Sequence, residues 1–266
     1  MNRIDELFKK LKKQRKKAFI VYVTAGYPNL SATARLLPIL EKAGADLIEL
    51  GIPFSDPLAD GPTIQKSSHE ALLKGVNVKS ILRLVRESRR KVSAPLVFMT
   101  YYNPILKYGF KNFIRDSKKA GIDGVIVPDL PPEEAGELSK VAKKMDFDTI
   151  FLAAPTSTKK RLLKIAEKSR GFIYYVSLTG VTGARKRLPY DLVRHVKNLK
   201  KITKKPVCVG FGISSPKQAR HISRLADGVI VGSAFIKIIE KNAGDKGAYK
   251  KAASFARSMG KAVHSR

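Results

Sequence analysis

Short β-branched runs, eight in number, alternate with longer segments of helical period along the 266 residues, and this alternation predicts a (β/α)8 barrel. Strand followed by helix followed by strand requires a parallel sheet with crossover helices. Eight such units in about 250 residues suit a closed barrel better than an open sheet. The corners echo one another: Ala43-Gly44-Ala45-Asp46, Ala120-Gly121-Ile122-Asp123 and Arg224-Leu225-Ala226-Asp227 each close a helix and open a strand. Glycine at such a helix end is an ordinary C-cap.

Ahead of the barrel, Ile4, Leu7, Phe8 and Leu11 recur at helical spacing and predict an extra N-terminal helix. Strands are predicted at 19–24, 46–50, 96–101, 124–127, 149–153, 172–177, 207–210 and 228–231, where β-branched and aromatic residues concentrate. Helical period marks 31–43, 78–91, 110–120, 133–144, 159–168, 190–202 and 216–225 between them. A last helix is expected over 246–263, with Tyr249, Ala252, Ala256, Met259 and Val263 on one face. No linker or low-complexity tract interrupts the pattern, so residues 1–266 read as a single barrel domain.

Apolar residues make up 44% of the chain, enough for a sizeable core. No apolar run approaches the roughly 20 residues that span a bilayer. The charged N-terminus has no apolar stretch behind it and does not read as a signal peptide. The single cysteine, Cys208, excludes an intramolecular disulfide and lies in a buried strand. A reducing, cytoplasmic setting is the simplest expectation. Lys and Arg number 52 against 22 acidic residues, a formal charge of +30. The cations are spread over apparent helix faces and are densest over 9–17. No RNP-like motif, zinc finger or recognition helix accompanies them. A positive field that attracts an anionic substrate or acidic partner fits better than dedicated nucleic-acid binding.

In a barrel of this kind the chemistry gathers at the C-terminal ends of the strands. The loops after the second and sixth strands are long, and long loops there are commonly functional. The second strand carries Glu49 in the apolar run Leu47-Ile48-Glu49-Leu50. A charge there is costly unless it is paired or used. Leu47 and Glu49 share a face, so a lumen-facing Leu47 puts Glu49 near the mouth. Partial burial could tune it for acid/base work; pairing with a Lys or Arg is the structural alternative. Asp56 and Asp60 follow in a loop stiffened by Pro53, Pro57 and Pro62. Either aspartate could instead serve a turn or helix cap.

Gly210-Phe211-Gly212-Ile213-Ser214 follows the seventh strand and Gly232-Ser233-Ala234 the eighth. Those positions suit a phosphate held by backbone N–H groups and a helix N-terminus; tight turns are the plain alternative. After the sixth strand, Thr179-Gly180-Val181-Thr182-Gly183-Ala184-Arg185 reads as a closing loop or an idle surface loop. Histidines 69, 195, 221 and 264 show no metal spacing, and no P-loop, dinucleotide fingerprint or nucleophile elbow is present.

Together, Thr24-Ala25-Gly26-Tyr27-Pro28, the run from Glu49 to Gln65, Pro128-Asp129-Leu130-Pro131, the 179–185 loop and the two glycine loops closely resemble the tryptophan synthase alpha chain family over nearly the whole chain. The resemblance implies a TIM-barrel lyase of tryptophan biosynthesis that splits indole-3-glycerol phosphate into indole and glyceraldehyde 3-phosphate by retro-aldol cleavage, without a metal or organic cofactor of its own. It implies Glu49 as general acid/base and Asp60 as its partner. Tyr174, Tyr22, Met99, Ile126 and Phe211 fall where the family lines its indole pocket, and Thr182 where its lid closes. Gly183, Gly212, Ile213, Gly232 and Ser233 fall where it holds phosphate. The resemblance further implies an alpha2-beta2 assembly with a beta chain that carries pyridoxal phosphate, contacted near Asp56, Asn103 and Pro104. The charge of +30 has no counterpart in that pattern. A free-standing indole-releasing or sugar-phosphate lyase or isomerase, and a basic nucleic-acid-binding barrel, are the competing readings.

Overall fold

The computed structural model describes residues 2–176, 191–210, 212–242, 245 and 247–265. Among them nine strands form one parallel sheet: β1 (Ala18–Thr24), β2 (Leu47–Gly51), β3 (Leu96–Met99), β4 (Gly124–Ile126), β5 (Asp148–Ile150), β6 (Leu152–Ala153), β7 (Ile173–Val176), β8 (Val207–Gly210) and β9 (Gly228–Val231). Their order is β5-β4-β3-β2-β1-β9-β8-β7-β6. The expected fifth strand is therefore two pieces, broken at Phe151. Its lower half pairs with β4 and its upper half with β7. The ring closes through this run, with Tyr174 N–H donating to the Phe151 carbonyl at 3.1 Å. Barrel closure staggers neighbouring strands, so one strand can switch partners partway along.

Alternation along the strands divides the core in two. Ala18, Ile20, Leu47, Val97, Ile126, Ile150, Phe172, Cys208 and Ile230 fill the lumen. Residues such as Phe19, Val21, Ile48, Leu50 and Phe98 point outward against the helices. The N-terminal helix Arg3–Lys13 plugs the lower end of the lumen with Ile4, Phe8 and Leu11. Asn2 caps this helix through Ile4 N–H and donates to the Asp123 carbonyl, just below β4, at 2.7 Å. The Phe8 and Phe172 rings lie 5.8 Å apart. The lysines of this helix point to solvent. Some cations are drawn into the lower rim: buried Asp123 meets Arg3 and Arg89, and Asp227 meets Lys17 and Lys200.

Helix bounds follow the period with a few departures; the helix expected at 216–225, for one, ends at Ser223. The helix expected at 133–144 begins at Gly136, because Pro131-Pro132 opens a run of turns. Val78–Ser88 gives way to a 3-10 turn at Arg89–Lys91. The helix expected from 190 is described from Leu192. Three further helices, Pro62–Leu73, Tyr102–Tyr108 and Ser233–Lys241, occupy connections that the periodicity leaves undivided. The last helix, Ala248–His264, buries Ala252, Ala256, Met259 and Val263.

Candidate active site

Leu47 lies in the lumen, and Glu49, two residues on, faces the same way higher up. Glu49 is completely buried, and neither carboxyl oxygen has a hydrogen-bond partner. Burial first, and the nearby Asp60 second, push its pKa up to about 8. The carboxyl is thus a neutral acid at pH 7, which is how an unpaired group can sit there at all.

Asp60 is positioned by the loop. Its N–H donates to the Pro57 carbonyl at 3.0 Å, and Gln65 Nε2 donates to its own carbonyl at 2.8 Å. Pro62 then opens helix Pro62–Leu73, with Gly61 as N-cap. Tyr101 reaches across from the end of β3. Its hydroxyl accepts the Ala59 N–H at 3.0 Å and hydrogen-bonds the Asp60 carboxyl. Phe54 stacks on the Tyr101 ring at 5.2 Å. Burial pushes Asp60 up to about 6, with the Tyr101 hydrogen bond opposing.

Two more phenols close in. The Tyr22 hydroxyl stands over Gly51, where an added Cβ would lie 2.0 Å from it. The Tyr174 hydroxyl stands over Gly210, where a Cβ would lie 2.4 Å away. These two glycines are strand ends kept bare so that the rings fit. Burial holds both phenols well above their ordinary pKa.

Asp60, Tyr22 and Tyr174 border a cavity of about 250 Å³ at the C-terminal mouth of the barrel. Tyr22, Met99, Leu152, Tyr174 and Ile230 form much of its wall, with Asp60 at one side. Gly212, Ile213, Gly232 and Ser233 form part of the opposite rim. Gly212 takes a left-handed φ of +59°. Helix Ser233–Lys241 starts at that rim with no side-chain cap, leaving its first amides for an anion. The neighbouring helix Pro216–Ser223 is capped by Ser215 instead.

The structure brings together Glu49, Asp60, Tyr22, Met99, Tyr174, Gly212, Ile213, Gly232 and Ser233. Ile126 departs from expectation: it packs in the lumen layer and does not line the cavity. Glu49 is not among the residues that line the cavity, although its strand neighbour Tyr22 is. Thr182, Gly183 and Phe211 lie outside the described residues. Asp56 and Asn103 are exposed and Pro104 half-buried on the outer rim, beside Leu58 at 84% and Leu106 at 52% exposure. Tyr101 and Lys237 are additions. Lys237 lines the cavity four residues after Ser233; i,i+4 spacing from the glycine loop was the available signal. Pro128 lines the cavity, while Asp129 caps helix Tyr102–Tyr108 by accepting the Tyr102 N–H at 2.9 Å. Among the described residues no group of three or more His, Cys, Asp or Glu could hold a metal.

A parallel barrel with a cavity at the C-terminal ends of its strands, and with a buried, unpaired carboxyl and an aspartate there, defines the class: a (β/α)8-barrel enzyme. Residues 8–264 match the family model of the tryptophan synthase alpha chain. The alpha chain of Geotalea daltonii is 51% identical over 244 residues, 92% of each chain. That of Dehalococcoides mccartyi is 47% identical over 259 residues, 97% of this chain and 98% of its own. Among solved structures, tryptophan synthase subunit alpha from Legionella pneumophila superposes with a TM-score of 0.92 at 40% identity, covering 99% of this chain and 98% of that one. A Mycobacterium tuberculosis tryptophan synthase structure gives 0.92 at 37% identity, covering 100% and 99%. The chain belongs to the tryptophan synthase alpha chain family.

Proposed function

We propose that this chain cleaves indole-3-glycerol phosphate to indole and glyceraldehyde 3-phosphate, with Glu49 as the proton carrier and Asp60 as its partner. The observation that carries the assignment of roles is Glu49 itself: fully buried, unpaired, protonated at neutral pH and next to an aspartate that is ionised there.

The chemistry follows from those charge states. Glu49 gives its proton to indole C3, and the ring becomes a cationic electron sink. The resulting carboxylate takes the proton of the side-chain hydroxyl next to the bond to be broken. The C–C electrons return to the ring, an aldehyde forms, and Glu49 is protonated again. No oxidant or reductant is needed. Asp60, ionised and close to the ring nitrogen, stabilises the positive charge that develops there. The apolar wall of Met99, Leu152 and Ile230 suits the indole, and the uncapped Ser233 amides with Gly212 and Gly232 suit the phosphate.

The partner is a tryptophan synthase beta chain in an alpha2-beta2 assembly, with pyridoxal phosphate held by that chain and none in this one. The exposed rim around Asp56, Leu58, Asn103, Pro104 and Leu106 is the contact face. A cytoplasmic location accompanies this role; no helix of the described residues is long and apolar enough to cross a membrane. Incubation with indole-3-glycerol phosphate, with and without a beta chain, tests the reading. Indole release supports it, and no indole under either condition overturns it.

A further inference from the structure

The cavity is polarised. Among the described residues that line it, two carry charge: Asp60 at one side and Lys237 on the helix that starts at the glycine rim. Lys237 lies one turn after Ser233 on helix Ser233–Lys241. Side chains tilt toward the N-terminus of a helix, so a residue four positions on reaches back over the earlier turn. Lys237 therefore leans toward the uncapped amides at the start of its helix. No acidic residue of that first turn is there to meet them. The lysine borders the cavity next to Ala234 and Ile238 yet remains exposed, as expected of a long stem with its charge at the rim.

The ammonium is also left free. Among the described residues no hydrogen bond or ion pair engages it. Glu240, the only acid of the same helix, stands three positions on, a spacing at which a lysine commonly pairs. That carboxylate is taken from the other side: Lys66, on helix Pro62–Leu73, ion-pairs with it. Neither Lys66 nor Glu240 lines the cavity. The nearby Lys251 shows the ordinary alternative, with Asn242 and Asp245 both accepting from its ammonium.

We propose that Lys237 is the cation that recognises the dianionic phosphate monoester of the substrate, and that the Lys66–Glu240 ion pair keeps it available by occupying the acid that would otherwise pair with it. The amides at Gly212, Gly232 and Ser233 offer partial charges, which suit any small anion. A full positive charge beside them favours a phosphate dianion over a carboxylate or a neutral hydroxyl. Lys237 stands on the phosphate rim, opposite the side that holds Asp60. It therefore binds substrate and transition state alike, and acts on affinity rather than on turnover.

The inference rests on the phosphate end of the site proposed above, so binding and catalysis are read separately. Glycerol 3-phosphate is titrated into the protein by calorimetry at constant ionic strength, and KM and kcat come from indole release. Lys237→Met is expected to weaken glycerol 3-phosphate binding about tenfold or more and to raise KM in parallel, with kcat within about twofold. Lys237→Arg is expected to keep most of the affinity, because the charge remains. Lys66→Met frees Glu240 to pair with Lys237 and is expected to weaken binding about two- to fivefold. Adding Glu240→Gln to Lys66→Met is expected to restore it. Lys241→Met removes a cation of the same helix that does not line the cavity, and is expected to change nothing; a loss there equal to that of Lys237→Met assigns the effect to bulk charge and overturns the proposal. Parental affinity in Lys237→Met, or no binding of glycerol 3-phosphate by the parent, overturns the phosphate role. No loss in Lys66→Met, or a loss that Glu240→Gln does not reverse, overturns the role of the ion pair. Binding that depends on Lys237 in a chain that releases no indole sustains the proposal and overturns the lyase assignment.

Discussion

Raising or lowering pH should switch the enzyme off on both sides of neutrality. Proton donation needs Glu49 protonated, and charge stabilisation needs Asp60 ionised. Burial lifts Glu49 from its ordinary 4.5 to about 8 and Asp60 from 3.8 to about 6. At pH 7 each group is then in its working form in about nine molecules of ten, whereas a Glu at its ordinary value would be protonated in about one of three hundred. The environment thus enriches the competent acid by a factor of about three hundred. Expected is a bell-shaped kcat/KM with limbs near pH 6 and pH 8, falling about tenfold per unit beyond each. The two values belong to the interacting pair, since each carboxylate disfavours the other. A substrate phosphate also titrates near 6. Asp60→Asn separates the two sources: it abolishes the acid limb if Asp60 causes it and leaves the limb if the phosphate does. The assay is indole release from pH 5 to 9 in constant ionic strength. A profile without an alkaline limb, or an acid limb that survives Asp60→Asn at a usable rate, refutes the assignment of charge states.

Four other outcomes follow from the same geometry. Glu49→Gln should lower turnover by about a hundredfold or more, yet stabilise the fold at alkaline pH. Folded Glu49 holds its proton up to about 8 and unfolded Glu49 releases it near 4.5, so its stability contribution is complete below about 4.5 and is lost as pH rises through 8. The Gln variant should therefore exceed the parent by on the order of 4 kcal/mol at pH 8–9 and match it near pH 4.5, read from urea unfolding. Tyr101→Phe removes a hydrogen bond that holds Asp60 down and should move the acid limb upward, with Ala59→Gly as a control that leaves the hydroxyl in place. Gly51→Ala puts a methyl 2.0 Å from the Tyr22 hydroxyl; a loss of about 1–3 kcal/mol and of most activity is expected, and a fully active, equally stable variant contradicts the packing argument. Phe8→Ala should cost about 3–5 kcal/mol by emptying the lower lumen, measured by thermal unfolding, because Phe8 packs on Phe172.

What could be read from the sequence was what local chemistry determines. β-Branched runs gave β8 and β9 at their observed bounds, Val207–Gly210 and Gly228–Val231. Glu49 was visible because a carboxylate in an apolar strand breaks the expected pattern. Invisible were features created by closure. The break at Phe151 depends on the stagger of neighbouring strands, which no run of residues states. Tyr101 looked like the end of a strand; only the folding back of the loop after β2 brings Ala59 and Asp60 to its hydroxyl. Thr24 and Ser67 are 43 positions apart and meet only because helix Pro62–Leu73 packs on β1. Ile126, assigned to the pocket by the family resemblance, packs in the lumen layer instead, at a height that no local feature of its strand reveals.

Several arrangements at the mouth act against ordinary stability. Glu49 is buried with no hydrogen bond, two tyrosine hydroxyls are wedged over bare glycines, and helix Ser233–Lys241 has no cap. Elsewhere the chain keeps the usual rules at some sites and not at others: helices Pro62–Leu73, Phe110–Ala120 and Ala248–His264 also lack a side-chain cap, and Ser117 and Thr149 bury unpaired hydroxyls. Asp123 is as buried as Glu49 but meets two arginines and the Leu96 N–H, and other helices are capped by Asn2, Asn29, Asn77, Thr158 and Ser215. Glu49 departs furthest, as a fully buried carboxyl with neither oxygen partnered. Glu49, the two phenols and the bare end of helix Ser233–Lys241 gather at the mouth of the barrel, and in the proposed function a phosphorylated indole compound gives each a partner: the acid a proton acceptor at carbon, the helix end an anion, and the phenols a ring to pack on. Only the first of these three acts where charge changes during the reaction; the anion and ring contacts hold substrate and transition state alike, so in this reading Glu49 carries the rate and the other two carry affinity.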